Sequence, residues 1–418
     1  MGKFSLYVHI PFCTSKCDYC DFFSTGIGLC KSVPDDYVDC VVKEVKTYAR
    51  IFGVQEWNTV YIGGGTPSLL SPVQLNSLFD GIQKSCKCGI SCGAEVTVEM
   101  NPESLDKELL SAADSCGVNR LSLGIQSLNS AALLSVRRNC TVQKAQQALE
   151  LVKKCWKNDL SLDAIAGLPA QNSEEFALSL KKMLSYEPQH FSLYTLTVEE
   201  GTPLCKKIDN GMEWNADEAD SQWILGRDIL FSHGFSQYEV SNFCLAGKES
   251  RHNRSYWQQQ SYIGAGAGAS GTVYCGSEGL RWNVKKDVKA YIDFWKNFSG
   301  SPDFFSDFGG KTSFEKLVLS GVPLETENLD AKTMEFEFLM MGLRTRQGVS
   351  VQKYERLYSG VSPWNGNLSL RLGEKNGVWR RFYDEGMTNV YSSCGGETFY
   401  ALNEKGILFL NRLLVELD

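Results

Sequence analysis

The spacing of hydrophobic positions along this chain switches repeatedly between a period of two and a period of about 3.6. Phe4 to Ile10 alternates apolar and polar side chains, which predicts a short strand. Between Pro34 and Phe52, Val38, Val41, Val42, Val45 and Tyr48 recur at helical spacing. Asn58 to Ile62 reads as a second strand and runs into Gly63-Gly64-Gly65-Thr66-Pro67. Pro72 to Ile82 is helical again. The alternation continues with strand Val96–Glu99, helix Leu105–Ser115, strand Asn119–Gln126 and helix Thr141–Trp156, N-capped by Thr141. Strand Leu160–Ile165, a helix near Ser173 to Leu184 and strand Phe191–Leu196 follow, then a long amphipathic helix from Ala216 to His233.

Six strands separated by helices predict parallel βαβ units and an α/β fold. The glycine and polar signals fall at the strands' C-terminal ends, where α/β barrels place their sites. Around Ser250 the texture turns aromatic and glycine-rich, and from about Gly310 the alternation stops. Thr333 to Thr345 reads as a helix, and Thr398 to Leu417 as strand, turn and long helix. Three regions are therefore expected: a core over 1–235, a connecting segment over 236–309, and a small α+β, winged-helix-like domain over 310–418.

Composition narrows the class. The 418 residues suffice for two or three domains with a real core. The net charge of −7, with no basic block, excludes the electrostatic footprint that nucleic acid requires. No run of about 18 apolar residues could span a bilayer. Fifteen cysteines at this length, in a chain that opens on a strand and not on a secretory leader, suit a reducing compartment. A cytoplasmic location is expected.

The chemistry is announced by Tyr7-Val8-His9-Ile10-Pro11-Phe12-Cys13, followed by Cys17 and Cys20. Three thiols spaced CxxxCxxC on one loop after a strand suit soft metal chemistry, an iron–sulfur cluster above all. Three ligands on a four-iron cluster leave one iron open, whereas an electron-transfer ferredoxin normally supplies a fourth Cys. Asp21 and Phe22 follow Cys20, and no fourth thiol lies close by in sequence. A zinc loop or three buried thiols are the plainer alternatives. Cys86, Cys88 and Cys92 form a second group in a helix-to-strand connection, read as chance enrichment in a cysteine-rich chain.

The cysteine loop and its flanks resemble the radical S-adenosylmethionine (SAM) superfamily. The resemblance is strongest to the branch that holds the oxygen-independent coproporphyrinogen III dehydrogenases and the haem chaperones. It implies an open, partial (β/α)6 barrel, a [4Fe–4S] cluster on Cys13, Cys17 and Cys20, and SAM bound at the open iron. It further implies SAM contacts from Tyr7, Gly64, Gly65, Thr66, Glu99, Gln126, Arg138 and Asp163. Glycines would let backbone approach the ligand, carboxylates would hold ribose hydroxyls or an ammonium, and Arg138 would grip a carboxylate. Taken singly, Glu99, Gln126, Arg138 and Asp163 are each better explained by a capping or structural hydrogen bond. Cys140 stands where the family has His, a departure without an evident meaning.

Gln237-Tyr238-Glu239-Val240-Ser241-Asn242 and His252-Asn253-Arg254-Ser255-Tyr256-Trp257 resemble the haem chaperones most closely. They imply haem as a third ligand, with His252 and Tyr256 as its contacts. Imidazole and phenolate are known axial ligands, and aromatic rings pack on a porphyrin face. The plainer reading of His252 is a satisfied polar group. Ser270 stands where the family often has another His. The dehydrogenases carry one more Cys where this chain has Phe22, and an extension ahead of the first strand. Both differences favour a haem chaperone over the dehydrogenase, in which a SAM-derived radical abstracts a propionate-side hydrogen before decarboxylation. A radical SAM enzyme with another substrate is a third reading. The chaperone reading implies haem-accepting proteins and an electron donor for the cluster as partners, and it leaves room for association with a membrane surface.

Overall fold

The computed structural model describes residues 2–27, 32–300, 310–374 and 377–417. Its centre is a run of six parallel strands in chain order: Lys3–Ile10, Glu56–Gly64, Ile90–Met100, Arg120–Gln126, Asp159–Ala166 and His190–Thr195. All six predicted strands are present at the predicted places. Tyr262–Ala265 adds a further parallel strand beside the first. Asn242–Cys244 continues the other side antiparallel. The first and sixth strands do not pair, so the barrel is open.

Each central strand alternates in burial partner. Leu6, Val8 and Ile10, then Val60 and Ile62, Val96 and Val98, Leu121 and Leu123, and Phe191 and Leu193 belong to one buried apolar core under the surrounding helices. The intervening positions are polar, and cross-strand hydrogen bonds join them. Tyr61 Oη donates to Glu99 at 2.8 Å, and Ser122 Oγ to Asp163 at 3.1 Å. Strands of a parallel sheet buried on both faces normally read as continuous apolar runs. Period-two alternation here means that the inner face lines a polar chamber. The outer helices are fixed by ordinary end signals: Ser71 and Asn172 each close a reciprocal capping box, and Thr141 caps its helix as expected.

The helix Arg251–Trp257 turns back into the barrel at the strands' N-terminal end. Glu95 holds it there, its carboxylate accepting from Ser250 Oγ (3.1 Å), Arg251 N (2.9 Å) and His252 N (2.8 Å). An acidic group at a helix N-terminus satisfies orphan amides and complements the dipole. Ser5 Oγ bonds Ser255 Oγ at 3.1 Å. This helix is the floor of the chamber.

The C-terminal part has its own core, built on Leu339, Leu343, Tyr354, Tyr358, Leu372, Trp379 and Leu413. It also has a three-stranded antiparallel sheet of Val349–Ser350, Thr398–Leu402 and Thr388–Ser392. One buried core gives way to the other near residue 330. Phe314, Leu317 and Leu324 pack into the first core, and Leu324–Leu329 pairs with Glu278–Val284 at the end of the large sheet. Short helices at Ser130–Ser135 and Pro203–Asp209 were not expected from periodicity. The terminal helix is shorter than expected, Leu410–Leu417. Among the described residues no helix is long and apolar enough to cross a membrane.

Candidate cofactor chamber and its floor

The C-terminal ends of the first five strands converge on the cysteine loop. Phe12–Cys13 pairs with Thr25–Gly26, closing the loop back on itself. Asp18, fully buried between the cysteines, anchors it from below: Arg137 Nη2 and Lys207 Nζ each lie 2.6 Å from its carboxylate. Its backbone N–H donates to Val136 O at 3.0 Å. Burial, with the nearby Cys17 and Cys13 adding to it, raises the Cys20 thiol. Thr66 Oγ1 donates to Cys13 Sγ at 3.5 Å, and Arg138 Nη1 to Cys17 Sγ at 3.8 Å.

Beside the loop runs the glycine stretch. A Cβ on Gly65 would meet Phe12 O at 2.7 Å and Cys13 Sγ at 3.0 Å, so only glycine lets the two loops touch. Gly64, at φ +119, takes a conformation that L side chains rarely adopt, and a Cβ there would strike His9. Gly64 N donates to Glu99 Oε2 at 3.1 Å. Glu99 is buried enough that its pKa is pushed up to about 7. Tyr7 Oη donates to His9 Nδ1 (2.9 Å), and the His9 Nε2–H reaches Phe23 O (3.0 Å).

The far rim is tied by Asn101. Its Nδ2 donates to Thr66 Oγ1 (3.0 Å), and its Oδ1 accepts from Arg138 Nη2 (3.0 Å), which also reaches Gly124 O (2.7 Å). Arg138 Nε is buried with no partner. Gln126 sits at φ +68 beside a bulge after Gly124, a strained placement for a non-glycine residue. Asp163, also held up at about 6 by burial, completes the wall. Thus Tyr7, Gly64, Gly65, Thr66, Glu99, Gln126, Arg138 and Asp163, scattered over 157 positions of sequence, line one chamber.

The residues fit the groups that the resemblance implies. Among the described residues no three His, Cys, Asp or Glu converge as on a single metal ion. A cubane does not ask for that, because each thiolate binds a different iron. The orphaned Arg138 Nε and the buried carboxyl of Glu99 are what a zwitterionic ligand beside the cluster would use. The second cysteine group offers no comparable setting, since Cys88 and Cys92 are exposed. Cys140 is buried, its thiol on Thr141 O at 3.5 Å.

His252 lies on the floor, 1% exposed and in a helix, not in an aromatic loop. Nδ1 bonds Thr59 Oγ1 at 2.7 Å and Nε2 bonds Tyr256 Oη at 2.7 Å. Its ring stacks on Tyr61 with centroids 5.0 Å apart, and burial holds its pKa down at about 3, so it is neutral. Both ring nitrogens are therefore engaged, and neither is presented to a ligand outside the barrel. Thr59, Tyr61, Glu95, Asn101 and Asp18 went unnoticed in the sequence. For Thr59, Tyr61 and Glu95 the period-two polar positions of their strands were the available signal.

An open parallel α/β barrel with a three-cysteine loop at its strand ends defines the class. Residues 7–183 match the Radical SAM superfamily. The chain is 34% identical to the mouse (Mus musculus) protein "Radical S-adenosyl methionine domain-containing protein 1, mitochondrial", over 86% of this chain and 77% of that protein. It is 33% identical to "Heme chaperone HemW" of Bacillus subtilis, over 95% of this chain and 98% of the relative. The chain belongs to the radical SAM superfamily, in the family of HemW and its animal relatives. Among solved structures it superposes on coproporphyrinogen III oxidase (HemN) from Escherichia coli with a TM-score of 0.74 at 18% identity, over all of this chain and 90% of that one, a likeness of fold.

Proposed function

We propose that this protein holds a [4Fe–4S] cluster on Cys13, Cys17 and Cys20, binds SAM beside it, and carries haem to acceptor proteins. The observation that carries the cofactor reading is the contact of the glycine stretch with both the cysteine loop and Glu99. The haem reading is supported by the near full-length match to HemW. The likeness to HemN is one of fold and extends to this chain's activity only as the alternative reading, decarboxylation of coproporphyrinogen III. Haem, haem-accepting proteins and an electron donor for the cluster are the partners this reading calls for. Thiols without disulfides among the described residues suit a reducing compartment.

When bound, the cluster supplies an open iron and, once reduced, one electron. The chain's own residues position, orient and seclude. Asp18 fixes the loop, Thr66 and Arg138 donate toward its sulfurs, and Glu99 offers a carboxylate beside the Gly64 amide from which it accepts. Anaerobic reconstitution followed by parallel assays of haem binding and coproporphyrinogen III decarboxylation tests the reading. Haem binding without decarboxylation is the expected result, and turnover of the porphyrinogen would promote the dehydrogenase.

Two predictions follow from the chamber's electrostatics. Asp18→Asn keeps shape but removes the charge on which Arg137 and Lys207 converge. The reconstituted variant is expected to lose iron to a chelator roughly tenfold faster than the parent, and equal rates would remove Asp18 from the loop's support. Glu99, with its pKa near 7, passes from carboxylate to acid between about pH 8 and about pH 6. Only the carboxylate pairs with an ammonium, so SAM affinity should fall by up to about tenfold over that range. Glu99→Gln should bind weakly and flatten the profile. A flat profile in the unsubstituted protein would displace Glu99 from the SAM site.

A further inference from the structure

A cleft of about 570 Å³ opens outside the barrel, between the floor helix and the C-terminal unit. It is separate from the cofactor chamber. The floor helix that sends His252 inward lends Trp257 to this outer wall, and Tyr238 stands beside it. Phe338 and Phe399 come from the C-terminal unit, as do Arg346 and Lys353. The volume falls within the range of pockets that bury a mid-sized organic ligand.

The polar groups of the cleft have donors to spare. Lys353 Nζ donates to Gln258 O at 2.5 Å and lies 5.3 Å over the Phe338 ring. It meets no carboxylate at ion-pair distance among the described residues, although an ammonium has three donors. Arg346 reaches Glu404 through Nη2 at a long 3.4 Å, while its Nη1 is buried without a partner. Trp257 Nε1 is likewise buried and unpartnered. Of the cleft's carboxylates, Glu249 is spent on Arg254, and Glu397 accepts the Ser350 hydroxyl. Half-buried cations with unused donors call for anionic acceptors. Three aromatic walls call for a flat apolar body between them. A planar ring system bearing two carboxylates meets both demands.

We propose that haem lies in this cleft, its ring against Trp257, Phe338 and Phe399 and its propionates on Lys353 and Arg346. The identity of the ligand rests on the haem reading above, whereas the place rests on the cleft. This assigns the outer face of the His252–Trp257 segment to haem and leaves its inner face to the barrel floor.

The test is a haem titration of the cluster-loaded, full-length protein, followed by the Soret band. Lys353→Gln and Arg346→Gln should each weaken binding by about tenfold, the loss of one charge-assisted hydrogen bond, and Lys353→Arg should restore most of it. On the unsubstituted protein, haem dimethyl ester, which lacks both charges, should bind at least about tenfold more weakly than haem. That comparison stands even where a variant fails to fold. If haem binds the parent but neither substitution nor esterification weakens it, the cleft is not the site, and the haem reading survives. If the parent binds no haem at all, both fail together.

Discussion

Iron and sulfide loading is expected to vanish when Cys13, Cys17 and Cys20 are replaced together by Ala. The brown chromophore of the anaerobically reconstituted protein should go with it. The physical case is that thiolate is the ligand iron–sulfur clusters take, and that Asp18 and the Thr25–Gly26 pairing hold these three sulfurs at one rim. The companion variant in which Cys86, Cys88 and Cys92 become Ala should load as the parent does, since two of those thiols face solvent and no partner geometry joins them. Iron analysis and visible absorbance read both. Full loading of the first variant would refute the cluster site, and loss of loading in the second would reveal a second one.

The His252→Ala protein is expected to be less stable by about 2–4 kcal/mol while leaving the bands of bound haem where they were. Removing the ring strands two buried hydroxyls, Thr59 Oγ1 and Tyr256 Oη, and opens a cavity against Tyr61. Unsatisfied buried groups and cavities each cost about 1–3 kcal/mol. Thermal unfolding should register a fall of several degrees. The sequence resemblance made His252 and Tyr256 haem contacts, and the structure closes both imidazole nitrogens inside the barrel. A shifted Soret band with an unchanged melting temperature would restore His252 as an iron ligand. It would also show that the floor helix leaves the barrel when haem binds.

The floor has a second consequence. His252 stacks on Tyr61, Tyr61 donates to Glu99, and Glu99 accepts from Gly64. The two ends of the barrel are thus joined by three direct contacts through its interior. Tyr61→Phe would cut the middle one.

Much was legible because it is written in short-range patterns. Strand and helix periods, capping residues such as Thr141, the spacing of Cys13, Cys17 and Cys20, and the glycines at 63–65 are local features. Each carries its physical reason within a few residues: side-chain direction, orphan amides, ligand geometry, the missing Cβ. The parallel arrangement followed from strands alternating with helices, and the chamber's position from polar signals at strand ends. What remained hidden depends on partners far away in sequence. Asp18 looked like filler between cysteines until Arg137 and Lys207 were brought to it across more than a hundred residues. Glu95 was one polar position in a strand until the floor helix arrived 155 positions later. His252 was a haem contact by resemblance or a satisfied polar group by the plainer reading; nothing nearby in sequence satisfies it except Tyr256, and only folding supplies Thr59 and Tyr61. That Leu324–Leu329 pairs into the large sheet was a choice of edge that no local period encodes. The spacing of the three cysteines after a strand and the fold class were determined by the sequence alone. Which face of the helix Arg251–Trp257 is turned into the barrel was decided only by tertiary structure, since a helix has two sides and burial chooses between them.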